Sequence, residues 1–281
     1  MARSWKVGID IGGTFTDVIA VNAEDGAVRT AKVQSRSSDP VASIASAYRA
    51  VDIDWADVAD LMHGTTMATN AIVEDRLAPV ALIATEGFRD TLEIGRQNRR
   101  ELYRLEVTPK LPPLVPATHR LEVTERIDAE GRVLTPLTDT EIERVTKATE
   151  DLGVPAVAVA LQQCFANTEH EARLGRRLQT AVPYVALSHR ISPEPREFER
   201  TNTTVLNAAL MPLTAGYLDK LEQTAGDSTN LHLFHSAGGM SSIEAVKDRP
   251  LALALSGPAA GVAAAGRIAE ELGLTQAIGF D

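Results

Sequence analysis

Apolar positions along the chain switch period several times, and each switch marks an element. Residues 6–11 fit a buried strand, 17–22 a second strand after a Gly-Gly turn, and 28–33 a third after Glu24-Asp25-Gly26. Three short strands joined by tight turns predict an antiparallel meander. Asp39 as N-cap and Pro40 at the first helical position predict a helix over 40–51. A helix over 66–75, a strand over 79–84 and a short helix over 88–94 follow. Residues 96–118 then carry Pro112, Pro113 and Pro116 and read as irregular. Segments 119–127 and 132–134 flank Asp128-Ala129-Glu130-Gly131 and predict a hairpin. The capping boxes Thr138-x-x-Glu141 and Thr168-x-x-Glu171 open helices that end near residues 152 and 180. Between them the apolar run 156–161 suits a central parallel strand, with the next strand at 184–188. A long helical pattern covers 195–221, kinked near Pro212. Strands over 232–235, 252–255 and 277–281 alternate with helices over 243–247 and 258–272. Strand–helix alternation after a meander predicts an α/β fold with a mixed sheet. A soft boundary falls near Pro136.

Composition narrows the class without naming a chemistry. The 281 residues are 44% hydrophobic and 23% charged, which suits a soluble globular protein of one large or two moderate domains. A net charge of −10 argues against a nucleic-acid surface, which needs a basic patch. Runs such as 156–161 are too short to span a bilayer, and residues 5–11 already read as a strand rather than a leader. No membrane partner is expected, and the cytoplasm is the expected location. The single cysteine, Cys164, permits neither an internal disulfide nor a cysteine-based zinc site. It reads as structural, without an electropositive helix start to activate it.

The strongest local signal is Gly8-Ile9-Asp10-Ile11-Gly12-Gly13-Thr14-Phe15-Thr16-Asp17. Gly12 and Gly13 lack Cβ atoms, so the backbone of this turn can approach a phosphate and aim N–H groups at it. Thr14 and Thr16 add hydroxyls, Asp10 offers a carboxylate to Mg²⁺, and Asp17 opens the return strand. An ordinary Gly-rich hairpin turn is the competing reading. The segment is neither a GxxxxGK[ST] loop, since no lysine follows, nor a dinucleotide turn, since a strand follows. It resembles the first phosphate loop of the sugar-kinase, chaperone and actin superfamily, in which two related domains each supply such a loop.

Further blocks narrow the resemblance. They are His63-Gly64-Thr65-Thr66-Met67-Ala68-Thr69-Asn70-Ala71, Gly87-Phe88-Arg89-Asp90 and Glu93-Ile94-Gly95-Arg96-Gln97-Asn98. After them come Ser188 to Pro193, Arg196 to Thr201, Thr203 to Ala208, Ser236-Ala237-Gly238-Gly239-Met240 and Ser256-Gly257-Pro258-Ala259-Ala260-Gly261-Val262. Together and in this order they resemble the hydantoinase/oxoprolinase family of ATP-dependent hydantoinases, 5-oxoprolinases and acetone-type carboxylase subunits.

That resemblance implies an actin-like ATPase fold, ATP and Mg²⁺ as cofactors, and ring-opening hydrolysis of a cyclic amide such as a hydantoin or 5-oxoproline. Phosphoryl transfer to the carbonyl oxygen would make it a leaving group. It also implies a hydantoinase B-type partner subunit and an oligomer. The near alternative is a ketone carboxylase subunit; a non-catalytic nucleotide-binding or assembly fragment is another. A zinc-bearing sugar kinase is disfavoured, because one cysteine cannot build its metal site. The family's second phosphate loop reads roughly FDMGGTSTD, so Gly279-Phe280-Asp281 would be its first residues, and the isolated chain is expected to be inactive.

The resemblance divides the chain into residues 1–190, carrying the first phosphate loop, and 191–281, the start of a second actin-like domain that is incomplete. Asp10 becomes a metal-facing carboxylate and Asp281 the second metal-facing or base-like one, while His63, Thr65 and Thr66 are candidates for the reacting carbonyl or phosphoryl group. Helix capping is the alternative for those two threonines. Ser256 and Gly257 open a helix whose N-terminus can meet an anion. Arg96, Gln97 and Asn98 are candidates to read substrate. His119 and His170 read as surface residues, and Glu197 to Arg200 as a solvated helix face with Arg200 and Asn207 held under suspicion.

Overall fold

Period-two alternation at the N-terminus produces three antiparallel strands: β1 (Trp5–Ile11), β2 (Phe15–Asn22) and β3 (Val28–Gln34). Along β1 every odd residue is buried, while Lys6 and Asp10 face outward. Helix α1 (Pro40–Ala50) starts where Asp39 accepts a hydrogen bond from the Ala42 amide at 3.2 Å, with Pro40 at the first turn. Its Ile44, Ala47 and Tyr48 are buried, and the helix packs on β1 to β3. Strand β4 (Val58–Thr65), which the hydrophobic pattern does not predict, then pairs in parallel with β1, and α2 (Met67–Val73) follows it.

The structure is a computed structural model that describes residues 4–36, 39–98, 101–106, 110–226 and 229–279. Its contacts divide the chain into one unit of residues 1–76 and 213–281 and another of residues 77–212. In the second unit lie β5 (Val80–Thr85), α3 (Thr91–Ile94), β6 (Arg120–Val123), β7 (Arg126–Ile127), β8 (Val133–Thr135), α4 (Asp139–Leu152), β9 (Ala156–Ala160), α5 (Glu169–Leu178), β10 (Tyr184–Leu187) and α6 (Ser188–Ile191). Its four-stranded sheet runs β10-β9-β5-β6 and is parallel throughout. Both faces are buried, which explains the continuous apolar runs of β5 and β9. Ile142, Val145, Leu174 and Leu178 cover one face, and Val205, Ala208 and Ala209 the other.

Helix α7 (Glu197–Ala225) carries the chain back to the first unit and runs through Pro212, whose ring removes one backbone donor. There β11 (Asn230–His235), β12 (Gly239–Ser242), α8 (Ile243–Asp248) and α9 (Ser256–Glu271) complete a six-stranded mixed sheet in the order β12-β11-β4-β1-β2-β3. The fold is α/β with a mixed sheet and an N-terminal meander, as the sequence predicts. Among the described residues no helix is long and apolar enough to cross a membrane.

Several local expectations need correction. The Ala-Leu alternation at 252–255 is a single 3₁₀ turn (Pro250–Leu253), because Pro250 starts it and i→i+3 bonds close it. Residues 276–279 form no regular element, and Phe280 and Asp281 lie outside the described residues. The predicted hairpin keeps only β7 and β8, since β6 joins β5 instead. Thr138 caps α4 by accepting from the Glu141 amide at 3.2 Å, but Thr168 makes no such bond. Its supposed box partner Glu171 is buried and committed elsewhere.

Candidate functional site

The turn between β1 and β2 is tight: the Gly12 amide donates to the Phe15 carbonyl at 3.0 Å, and Asp10 stands opposite Asp17 in the ladder. A Cβ at Gly12 would sit 3.1 Å from that carbonyl, whereas one at Gly13 would meet nothing within 4 Å. Among the described residues the amides of Gly13 and Thr14 have no acceptor, so two donors of an exposed turn are left to solvent or a ligand.

Alternation then sorts the side chains of this sheet between its two faces. Gly8 and Asp10 of β1, Asp17 and Ile19 of β2, Lys32 of β3, Met62 and Gly64 of β4 and Phe234 of β11 share one face and line a cavity of about 580 Å³. Ser256, Gly257 and Ala260 of α9 line the same cavity. Lys32 donates to Asp17 at 2.8 Å, across paired positions of β2 and β3. No sequence motif marks this lysine; its signal is its register partner across β2 and β3.

Helix α9 presents its first turn to this cavity, and Pro258 leaves Ser256 and Gly257 as the first donors. Two bonds fix that start. Ser256 Oγ donates to the Thr65 carbonyl at 3.2 Å, and the Leu255 amide donates to Thr69 Oγ1 at 2.9 Å. Leu255 itself is held at φ +59°, in the left-handed region.

The opposite face is framework. Thr16 is fully buried, with its hydroxyl bonded to Ser35 Oγ at 2.9 Å, so it does not join Thr14 beside the turn. His63 is fully buried as well. Its Nδ1 lies 3.3 Å from the Ile9 carbonyl, which can only accept, so Nδ1 carries the proton and Nε2 accepts from the Tyr217 hydroxyl. Burial lowers its pKa to about 4, so the ring is neutral at pH 7. His63 therefore faces away from this cavity, toward Ile9 and Tyr217. Thr65 is buried, and its hydroxyl accepts from the Met67 amide at 3.2 Å. Thr66 donates to the Ile11 carbonyl at 3.4 Å and accepts from Asn70 at 3.2 Å.

Arg96, Gln97 and Asn98 are exposed residues of the second unit. Arg96 donates from Nε to Glu199 and lies over the Phe198 ring, beside a cavity of about 410 Å³. Its hydrogen bond holds the Glu199 carboxyl below the usual carboxylate range. Gln97 sits at φ +55°. Asp281, the proposed second metal carboxylate, lies outside the described residues. Among the described residues no group of three His, Cys, Asp or Glu side chains is placed to hold a metal.

The second unit also buries polar groups that the sequence reading treated as surface. His170 is 2% exposed and donates from Nδ1 to Glu125 at 2.6 Å, while its Nε2 accepts from the Leu137 amide. Glu171 accepts from the Leu161 amide, Ser188 Oγ, the His189 amide and His189 Nδ1 at 2.7–2.9 Å. Arg200 is 1% exposed, caps the carbonyls of Glu194 and Leu161, and stacks over Phe165, so this position is not a solvated helix face. Cys164 is buried against Ser188, and burial pushes its thiol up to about 12.

Known proteins resemble this chain in sequence and fold. An uncharacterized protein of Methanocaldococcus jannaschii is 36% identical over 290 residues, covering 100% of this chain and 42% of its own length. The caprolactamase alpha subunit of Pseudomonas jessenii is 30% identical, covering 99% of this chain and 42% of its own length. The solved ATP-dependent caprolactamase of that organism superposes with a TM-score of 0.82 over 95% of this chain and 41% of that one. A nucleotide-free acetone carboxylase, 24% identical, superposes at 0.84 over 96% of this chain and 41% of that one, and shares the fold. The chain thus spans about two fifths of these relatives. The family described as the hydantoinase/oxoprolinase N-terminal region matches residues 6–182, and the one described as hydantoinase/oxoprolinase matches residues 200–281. With the blocks from His63 to Val262 in their order and both descriptions matched in turn, this chain belongs to the hydantoinase/oxoprolinase family.

Proposed function

We propose that this chain supplies part of the nucleotide and substrate site of an ATP-dependent enzyme that opens a cyclic amide of the hydantoin or 5-oxoproline type. The observation that carries the reading is the convergence of Asp10, Asp17, Lys32 and the first turn of α9 on one cavity, beside a turn with two open amides. These residues suit a magnesium nucleotide: an exposed carboxylate for the cation, backbone donors for phosphate oxygens, and glycines that let a phosphate come close.

An amide carbonyl is a poor electrophile, and bound Mg-ATP supplies the γ-phosphoryl group that converts its oxygen into a leaving group. Phosphoryl transfer depends mainly on positioning and charge neutralisation. Asp10 would hold the metal directly or through water, with Asp281 as the second carboxylate. The amides of Gly13 and Thr14, the Thr14 hydroxyl, Ser256 and Gly257 would donate to phosphate oxygens, and Gly12 sets the turn. Lys32 is positioned to exchange Asp17 for a phosphate. His63, Thr65 and Thr66 act as positioning residues in this scheme, holding β1 and α9. Arg96, Gln97 and Asn98 stay as candidates for substrate recognition. A hydantoinase B-type partner subunit would add water to the activated carbonyl, in an oligomer of the cytoplasm.

The test follows ADP release by the protein, with and without such a partner subunit, given Mg-ATP plus a hydantoin, 5-oxoproline or caprolactam. The competing mixture is a ketone plus bicarbonate. ADP release driven by a lactam supports the proposal. Release driven only by ketone and bicarbonate moves the protein to the carboxylase branch of the family. Mg-ATP binding without ADP release under either condition assigns a binding or assembly role.

A further inference from the structure

Gly64 lies beside Asp10 on the adjacent parallel strand, at paired positions of β1 and β4. A Cβ built on Gly64 would sit 2.9 Å from Asp10 Oδ1 and 3.6 Å from Asp10 Cγ. Real Cβ atoms do not approach an oxygen so closely, so the carboxylate of Asp10 occupies space that only glycine leaves empty. The backbone does not require glycine here, because Gly64 is absent from the positions of positive φ. The nearest backbone atom of Asp10, its Cα, is 3.9 Å from the built Cβ, an ordinary contact. The demand for glycine therefore comes from one neighbouring side chain.

We infer that Gly64 is a positioning residue for the proposed metal carboxylate: its bare Cα is the seat that fixes the Asp10 rotamer toward the cavity. This rests on the reading of Asp10 as a magnesium-facing group. A methyl at position 64 leaves the strand intact and turns the carboxylate away. The penalty falls on the end of a short side chain, which can rotate, rather than on the sheet. Gly64→Ala is then a mild change for the fold and a severe one for cation-dependent binding.

The experiment is a double-substitution cycle read by calorimetric titration with Mg-ATP, and with ATP in the presence of a chelator. Gly64→Ala should weaken Mg-ATP binding by about tenfold or more and leave metal-free ATP binding nearly unchanged, the pattern of a displaced cation ligand. In an Asp10→Ala background the same substitution should change Mg-ATP binding by less than about twofold, because no carboxylate remains to displace. Thermal unfolding of the same four proteins gives a readout that needs no nucleotide. Gly64→Ala should lower the melting temperature beside Asp10 and not beside Ala, since the double variant removes the overlapping oxygen.

Equal weakening with and without magnesium, or in both backgrounds, would mean that the methyl blocks the cavity directly, and overturns the inference. Unchanged Mg-ATP binding in Asp10→Ala, or none in the unsubstituted protein, would instead overturn the reading of Asp10 on which it rests.

Discussion

The His63–Tyr217 pair converts the packing beneath the β1–β4 cavity into a measurable pH dependence. His63 is fully buried, and burial moves its pKa from 6.5 to about 4. Between those values the unfolded chain binds a proton that the folded protein refuses. The stabilisation is therefore complete above pH 6.5 and is lost as the pH falls toward 4. Integrated from pH 7 down to pH 5, the loss is about 2 kcal/mol, with a slope approaching 1.4 kcal/mol per pH unit. For a chain of this size that is a fall of about 4–8 °C in melting temperature. Carboxylates also contribute to acid instability, so the quantity to measure is a difference. Melting temperatures of the unsubstituted protein and His63→Gln are recorded between pH 7 and pH 5, and the two slopes compared. The variant starts less stable, because the Ile9 carbonyl and the Tyr217 hydroxyl lose a shaped partner, but its slope should be shallower by the amount above. Parallel slopes would refute the argument, and would mean that the ring is hydrated or charged in the folded protein.

Three other predictions follow from buried or paired groups. Glu171→Ala strands the Leu161 amide and the Ser188 and His189 donors at the ends of β9 and β10, and should cost about 4 kcal/mol in denaturant unfolding; a loss below about 1 kcal/mol would show that water reaches this cluster. Cys164, with its thiol pushed up to about 12, should resist iodoacetamide at neutral pH until denaturant is added. Rapid labelling of the folded protein would contradict its burial. Lys32→Met should weaken Mg-ATP binding about fivefold, and adenosine binding much less, if the lysine leaves Asp17 for a phosphate. Equal weakening of both ligands would assign it a role in the cavity wall alone.

Elements whose signals are local were legible in the sequence, and those decided by distant partners were not. The meander followed from alternation and Gly-rich turns, and α1 and α4 from Asp39, Pro40 and Thr138, because each of these signals acts within a few residues. Strand β4 escaped because its inward positions include His63 and Thr65, polar residues that hide a period-two pattern. Their burial is made favourable by Ile9 and Tyr217 around the His63 ring and by the Met67 amide at the Thr65 hydroxyl. His170 and Glu171 lie in a charged run, Glu169 to Arg173, that reads as surface. Their burial depends on Glu125, Leu161 and Ser188, which no helical pattern can report. At the candidate site, Asp10, Gly12 and Gly13 were visible as a motif, but Lys32 became visible only through strand register.

The His63-Gly64-Thr65-Thr66 segment shows why a motif need not touch the chemistry it marks. His63 and Thr65 turn to the face of the sheet opposite Gly64, and Thr66 lies beyond the strand as the N-cap of α2. His63 and Thr66 instead bond the carbonyls of Ile9 and Ile11, the residues on either side of Asp10. The Thr65 carbonyl and the Thr69 hydroxyl fasten the first turn of α9. One strand end thus ties down both the carboxylate-bearing strand and the helix terminus that lines the same cavity, while Gly64 leaves room between them. If the cavity holds the proposed nucleotide, substitutions at His63 and Thr65 should act on its binding through the placement of Asp10 and Ser256, with no loss of a proton-transfer group. They should therefore leave the shape of a pH–rate profile unchanged near neutrality, because the His63 ring titrates only near pH 4 in the folded protein.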